Sequence, residues 1–369
     1  MPDNHSSKVG IIYLVYSDEP QKYLFDALEG VVAQTYPKHL IELIVVYNST
    51  RGDEPSQEEY TRQKLEEYKD RLPHTTFLPQ EKNLGFSIGN NVGTKIAMEL
   101  GCDYIFLHNA DAYLGPNCIQ IMAEEFDKDK TIGTAQPMIL LHPETDLINT
   151  AGNAFHYLGF GYGEHYRKNV NELQLPDVKE VGYVSGAGTM MRSDLLKQYG
   201  LWDEDYFLYH EDTDYSLRLR YMGYRTVIMS RAQFFHKYQF KKSTGKYFWM
   251  ERNRYAIMLI YFRIPTLILL FPAFVLSEIG LIFFSLVGGW WKERFKAYAY
   301  WLHASSWKLW MKKRKYIQQN RKIRDRDMFK YSVGGIYFQE EGMHGPIHTV
   351  ANWGMEAYYW LIVRMLIWW

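Results

Sequence analysis

The sequence predicts an α/β domain on a mostly parallel sheet, continued by a helical region of different composition. Short apolar runs alternate with helix-spaced stretches through the first half, as strands and crossover helices do in a parallel sheet. Acidic residues and Gly/Asn-rich turns fall at the ends of those runs, where such sheets bind their ligands. Composition then shifts sharply near residue 256, which places one domain at 1–255 and a second region at 256–369.

The elements follow in order. Val9–Tyr16 and residues 40–47 are continuous apolar runs and read as buried strands. Between them, 20–34 spaces Tyr23, Leu24, Leu28 and Val31 as one face of a helix. Residues 54–71 are charged and read as a solvated helix, and 86–100 as another. Residues 103–107 form a third apolar run that leads directly into His108, Asn109, Ala110 and Asp111. Gly, Tyr and short strand-like runs fill 133–192, after which helical spacing returns in Ser193–Tyr199 and 211–222.

At 369 residues the chain holds a large catalytic-sized domain and an appendage. Forty-two basic residues balance forty-two acidic ones, so net charge names no partner and no nucleic acid is expected. Two cysteines, Cys102 and Cys118, imply no disulfide framework and suit a reducing compartment. The opening MPDNHSSKVG lacks an apolar core and reads as neither signal peptide nor anchor.

The last third is the informative one for location. Residues 264–289 are a 26-residue run with one charged member, Glu278, long enough to cross a bilayer. Residues 292–327 follow with twelve Lys or Arg against three Asp or Glu, a charge that anionic lipid attracts. The segment 353–369 is aromatic and amphipathic, as at a membrane–water boundary. A full span would put the densest positive charge on the far side from the first domain, against the positive-inside tendency. Pro272 and Glu278 also disfavour a straight span. A monotopic or re-entrant attachment on the cytoplasmic face is therefore expected, with membrane lipid as a partner.

Three features carry chemistry. Asp111 stands just past a strand end, though an Asp there also serves as a turn or cap. With His236 it could form an oxygen/nitrogen site for Mn²⁺ or Mg²⁺, while a lone His is more often structural. Residues 81–93 are dense in Gly and Asn, which permits close backbone approach to a ligand ahead of a helix N-terminus. Residues 203–214 hold six acidic residues in twelve positions, which repel one another unless capped, bound to a cation or used. Asp212 and Asp214 at a helix start could also be plain dipole caps.

In order and spacing these pieces resemble glycosyltransferase family 2, and more narrowly its rhamnosyltransferase-like branch of polysaccharide biosynthesis. Gln34–Thr35–Tyr36–Pro37 is similar to that family's QTYP turn, and Asn83–Leu84–Gly85–Phe86 through Asn90–Asn91–Val92–Gly93 to its NxGfxxGnNxG element. Asn109–Ala110–Asp111 stands at its metal motif, and Ser185–Gly186–Ala187 precedes Glu211–Asp212, its ED motif. Glu251–Arg252–Asn253–Arg254 also looks like this branch. Two departures stand out: Tyr47–Asn48 where the family has Asp–Asn, and Asn109 where many members have Asp.

The resemblance implies a GT-A fold and inverting transfer of a sugar from a nucleoside diphosphate to a membrane-proximal, polyprenyl-linked glycan. It makes Asp212 the base, with Glu211 and Asp214 orienting the base or acceptor. Asp111 and His236 become metal ligands, and Asn48, Asn83, Gly85, Asn90, Asn91, Asn109 and Gly186 line the nucleotide-sugar site. A catalytically silent sugar-nucleotide-binding subunit is the alternative. A nucleotidyltransferase is disfavoured by the lack of a basic Gly-rich loop in residues 9–20, and a processive synthase by the shortage of spans.

Overall fold

A computed structural model describes residues 7–16, 19–49, 55–238, 245–337 and 346–369. Residues 1–6, on which the leader reading rests, lie outside these, as do 17–18 of the first loop and the expected helix start at residue 54.

The strands are β1 (Val9–Tyr16), β2 (Ile41–Asn48), β3 (His74–Gln80), β4 (Tyr104–His108), β5 (Ala112–Leu114), β6 (Ile132–Leu141) and β7 (Ile148–Thr150). After them come β8 (Asn153–His156), β9 (Gly161–Gly163), β10 (Val178–Glu180), β11 (Gly188–Arg192), β12 (Arg225–His236) and β13 (Ser332–Val333). Among the described residues ten strands make one sheet, in the order β10-β12-β6-β11-β4-β1-β2-β3, with β5 on β12 and β7 on β6. The run β3-β2-β1-β4 is parallel. β11 is antiparallel to its neighbours β4 and β6. A small second sheet orders β13-β8-β9.

The helices of the first part are α1 (Gln21–Val32), α2 (Pro55–Glu67), α3 (Gly85–Glu99), α4 (Cys118–Lys128), α5 (Ser193–Tyr199) and α6 (Glu211–Tyr221). Strands β1, β2 and β4 are almost wholly buried, because helices cover both faces of a parallel sheet. Leu24, Leu28, Met122 and Phe126 of α1 and α4 fill one face. On the other, Ala97 of α3 joins Leu195, Tyr215 and Leu219. Close packing there needs small residues: a Cβ on Gly93 would lie 2.6 Å from Ile12, and one on Gly89 2.7 Å from Leu14.

Strand β12 is twelve residues long, two more than its partner β6, and ends on His236. The reason is an interruption. β12 pairs with β6 up to Met229↔Pro137, sets three residues aside, and resumes at Gln233↔Met138 through His236↔Leu141. Bulges of this kind re-aim a strand.

The C-terminal helices are α7 (Lys246–Tyr261), α8 (Ile264–Val287), α9 (Trp291–Leu302), α10 (Ala304–Asn320), α11 (Asp325–Met328) and α12 (Pro346–Tyr358), followed by a π-helical turn, Tyr359–Arg364. The compositional change at residue 256 falls inside α7. Residues of α7, α8, α10 and the C-terminus share one core with Phe155, Tyr206 and Leu217.

Helix α8 is inside-out relative to a soluble helix. Ile268, Leu276, Ile279, Phe283 and Val287 are each more than 60% exposed, while its one charged residue, Glu278, is buried. Glu278 pairs with Arg254 of α7 and Arg294 of α9, and accepts from Tyr255 and Tyr298 at 2.7 Å each. Glu251 completes a neutral four-member cluster, 2.8 Å from Arg254 and 3.3 Å from Arg294. Removing one partner of such a cluster leaves a buried charge uncompensated. Glu278→Ala is therefore expected to cost about 3–5 kcal/mol in denaturant unfolding; an unchanged midpoint would mean the cluster contributes no net stability.

Candidate active site

The chain runs β1, β2, β3 outward along the sheet and returns to place β4 on the other side of β1. The C-terminal ends of β1 and β4 thus flank the point where strand order reverses, the usual ligand crevice of an open parallel sheet. An aromatic cleft opens beside it, lined by Tyr13, Tyr16, Tyr23, Tyr47 and Tyr60.

Asp111 follows β4, and β5 pairs antiparallel with the end of β12, matching Ala112 to His236. This register brings Asp111 Oδ1 within 3.0 Å of His236 Nε2. The Asn109 amide donates to the same Asp111 oxygen at 2.6 Å. Burial disfavours the Asp111 carboxylate, but His236 beside it outweighs that and holds it below the usual range. His236 Nδ1 lies 2.9 Å from Asn149 Oδ1, which fixes the ring so that an Nε2–H donates to Asp111; a bound cation would take the place of that proton.

Among the described residues no group of three or more His, Cys, Asp or Glu side chains that could hold a metal converges; the pair that stands together is Asp111 and His236. One oxygen and one nitrogen donor fit Mn²⁺ or Mg²⁺, with imidazole favouring the former. Their 3.0 Å separation suits a hydrogen bond, and equally the edge between adjacent ligands of an octahedral ion with bonds of about 2.1 Å.

The Gly/Asn-rich element is tied down from within. Asn83 Oδ1 accepts from Gly85 N at 2.8 Å, closing a turn that Gly85 completes at φ +75°. Buried Asn48 spans this turn, donating to Gly85 O at 3.2 Å. Asn90 bonds back to Phe86 O at 3.0 Å. Asn91 staples α3 to the acidic segment, donating to Trp202 O at 2.8 Å and Glu204 at 3.1 Å.

The segment 185–187 links the two halves of the site. Asn109 N donates to Ala187 O at 3.0 Å, and Gly186 N donates to Asp212 Oδ2 at 3.2 Å. A Cβ on Gly186 would crowd Trp202 and Phe86 at 3.1 and 3.3 Å.

Three carboxylates open α6, and their environments differ. Asp214 is buried and fully engaged: Arg218 at 2.6 Å, Tyr261 OH at 2.7 Å and Tyr206 OH at 3.2 Å. Half-buried Asp212 accepts from Thr213 N at 2.6 Å besides Gly186. Glu211 is buried with Oε2 unpartnered among the described residues. Burial, with the nearby Asp212 and Asp214 charges, pushes Glu211 up to about 8. Burial also pushes Asp212 up, to about 6, against the pull of the Gly186 and Thr213 N–H groups. Ahead of the helix, Phe207, Tyr209 and His210 hold left-handed backbone at φ +63°, +63° and +69°, a conformation costing about 1 kcal/mol or more for each non-glycine residue.

Of the residues expected from sequence, Asp111 meets His236, and Asp212 meets Gly186; Asp214 meets only its own scaffold. Sequence reading missed Asn149, for which a three-residue strand gives no signal, and the tyrosine cleft, whose members are scattered from residue 13 to 60.

A mostly parallel, curled sheet with a strand-end carboxylate and a buried acidic helix start defines a glycosyltransferase-like GT-A fold. The chain belongs to glycosyltransferase family 2: the family model described as glycosyltransferase like family 2 matches residues 11–255. It is 27% identical over 187 residues to the N-acetylglucosaminyl-diphospho-decaprenol L-rhamnosyltransferase of Mycobacterium tuberculosis, covering 45% of this chain and 60% of that protein. Similar solved folds include the mannosyltransferase PcManGT from Pyrobaculum calidifontis in complex with GDP-Man and Mn²⁺, at TM-score 0.51, 13% identity and 86% of each chain. GalNAc-T7 with UDP, GalNAc and Mn²⁺ matches at TM-score 0.51 and 14% identity, over 63% of this chain and 44% of that one.

With a native pKa raised above its unfolded value, Glu211 holds a proton that the unfolded chain releases, so stability falls as pH rises through that window. Glu211→Gln should therefore be more stable than wild type by on the order of 1–3 kcal/mol at pH 8, the gain fading toward pH 5. Thermal melts across that range would detect it, and a pH-independent difference would refute the assignment.

Proposed function

We propose that this chain transfers a sugar, with inversion, from a nucleoside diphosphate to a membrane-proximal, lipid-linked glycan. The carrying observation is Asp212, half-buried at the start of α6 with a raised pKa and tied through Gly186 to the segment that touches the Asn109–Asp111 strand end. A carboxylate poised near neutrality suits proton abstraction. Asp212 accepts the proton of the acceptor hydroxyl. The freed oxygen bonds to the anomeric carbon from the face opposite the diphosphate. The carbon–oxygen bond to the diphosphate breaks, and the nucleoside diphosphate leaves with its electron pair.

When bound, a divalent cation neutralises charge on the departing diphosphate. Asp111 and His236 would hold it, Asn109 and Asn149 fixing their orientation. Of the tyrosines around the cleft, half-buried Tyr16, Tyr23 and Tyr60 are the candidates for aromatic contact with a nucleobase, since Tyr13 and Tyr47 are buried. Asn48, Asn83, Gly85, Asn90, Asn91 and Gly186 shape the donor pocket by fixing the Gly-rich turn against α3 and 185–187. Glu211 sets the electrostatics of Asp212. Asp214 anchors α6.

A lipid-linked acceptor has support in the printed activity of the M. tuberculosis relative, which acts on a diphospho-decaprenol, and in the outward apolar face of α8. We place α8 in the plane of a cytoplasmic leaflet. Residues 264 and 278 are fourteen positions, about 21 Å, apart along a helix. A span would carry Arg254, Arg294 and α7 toward the bilayer interior together with Glu278, where ionisable groups are disfavoured. Of the twelve basic residues in 292–327, Arg294, Lys313, Arg314 and Arg321 are occupied internally. Lys292, Lys296, Lys308, Lys312, Lys315 and Lys322 are among those exposed to headgroups.

Thermal melts of the purified protein with UDP, GDP or dTDP, each with Mn²⁺ or EDTA, test the site. One nucleotide should raise the melting temperature only with metal. His236→Ala should abolish that shift, and Asp212→Asn should keep it while lowering turnover at least 10³-fold (order of magnitude). Unchanged turnover in Asp212→Asn rejects the base, and binding without turnover in wild type favours a silent subunit.

Attachment is tested on phosphatidylglycerol vesicles. Ile268→Glu with Leu276→Glu should release the protein without changing its nucleotide-dependent melt. Wild type should be extracted by alkaline carbonate, whereas retention in the pellet would mean a span.

A further inference from the structure

Helix α7 carries Glu251–Arg252–Asn253–Arg254, of which the inner pair has no role in the reading above. Asn253 is fully buried. Its Nδ2, with two hydrogens, faces three loop carbonyls, Tyr206 at 3.0 Å, Leu208 at 2.9 Å and Tyr209 at 2.7 Å, one hydrogen being shared. Its Oδ1 accepts from Arg252 Nε at 2.7 Å. Arg252 also donates to Tyr206 O at 3.1 Å and to Asp205 O, and its guanidinium lies over Trp249 at 4.5 Å and Tyr300 at 5.2 Å.

Leu208 and Tyr209 lie in segment 207–210, whose Phe207, Tyr209 and His210 hold positive φ without a glycine, and Tyr206 immediately precedes it. Such backbone persists only where its surroundings over-determine it, and it gathers at functional sites. Here the surroundings are Asn253 and Arg252. The segment ends at His210, whose carbonyl accepts from Asp214 N at 2.7 Å to open α6. Asp212 is two residues on. At its other end Phe207 stacks on Trp249 at 4.6 Å and approaches Gly85 of the Gly-rich turn. The remainder of α6 is held separately by Asp214 with Arg218 and Tyr261, so loss of the clamp frees the loop and first turn without releasing the helix.

We propose that Asn253, braced by Arg252, is a positioning residue that locks segment 207–210 in its left-handed form and thereby aims the Asp212 carboxylate; this rests on Asp212 as the base. The amide is needed for its hydrogens. Aspartate has the same shape but turns a carboxylate toward three carbonyl oxygens.

The test compares Asn253→Asp, the milder Arg252→Lys, and Asn253→Asp combined with Tyr209→Gly and His210→Gly, since glycine adopts the left-handed region freely. Hydrogen exchange is followed over 206–213 and 214–221, beside kcat and the nucleotide-dependent melt. In Asn253→Asp the amides of 206–213 should exchange at least about tenfold faster, with 214–221 unchanged. Its kcat should fall about 100-fold, the scale of a small misplacement of a catalytic group, with the nucleotide-dependent melt intact. The two glycines should restore at least about tenfold of that loss. Wild-type exchange and kcat overturn the proposal, as does loosening that spreads through α6 or a loss that glycine does not rescue. If Asn253→Asp does not fold, Arg252→Lys carries the same readouts. Asp212→Asn is assayed in parallel. Its activity would remove the base and with it the aim of the clamp, whereas an inactive Asp212→Asn beside a normal Asn253→Asp overturns the clamp alone.

Discussion

Three carboxylates within four residues at the start of a buried helix set the terms for much of this molecule. Water cannot screen them there, so each must be compensated or left raised in pKa. Asp214 is compensated by Arg218 and two tyrosine hydroxyls from α7 and the acidic segment. Glu211 and Asp212 are not. That asymmetry separates a fully bonded carboxylate from two raised ones on one helix turn, and it costs stability that the surrounding core must supply. The α7 packing that serves Asp214 is the same packing that reaches back to the loop ahead of it.

Much of this was legible from residue order alone. The apolar runs of β1, β2 and β4 announce a parallel sheet because burial on both faces leaves no polar alternation to hide them. Asp111 and Asp212 stood out because acidic residues at strand ends and helix starts are exposed to the ligand crevice by topology. What stayed hidden were partnerships set by long-range register. Arg218 one turn on is the local sign that Asp214 is engaged; the Tyr261 hydroxyl that completes its shell arrives from forty-seven positions later. Asn48 reads as a ligand contact by position, yet its side chain spans the Gly-rich turn. Asn253 sits among charged neighbours with no hint that three carbonyls converge on it. Composition of 292–327 likewise overstates the charge on offer, since Arg294, Lys313, Arg314 and Arg321 are buried or half-buried in internal bonds and Lys296 and Arg324 pair at the surface.

The helical region belongs to the same physical unit as the sheet. Its core includes residues from both sides of position 256, and α7 carries two opposed duties on successive residues. Glu251 and Arg254 meet α8 and α9, while Arg252 and Asn253 meet the loop before α6. A surface that is apolar outward and ionic inward thus lies one helix thickness from the acidic helix start.

The interruption of β12 has a consequence for how such a site changes. Counting on from Met229↔Pro137 without the three residues set aside would match Leu141 to Gln233 instead of His236. Because three is odd, it would also turn the strand's alternate side chains to the opposite face. The nitrogen beside Asp111 is therefore chosen by the length of a small detour as much as by the identity of the histidine. Lengthening or shortening that detour would set a different side chain beside Asp111 while every core strand keeps its place.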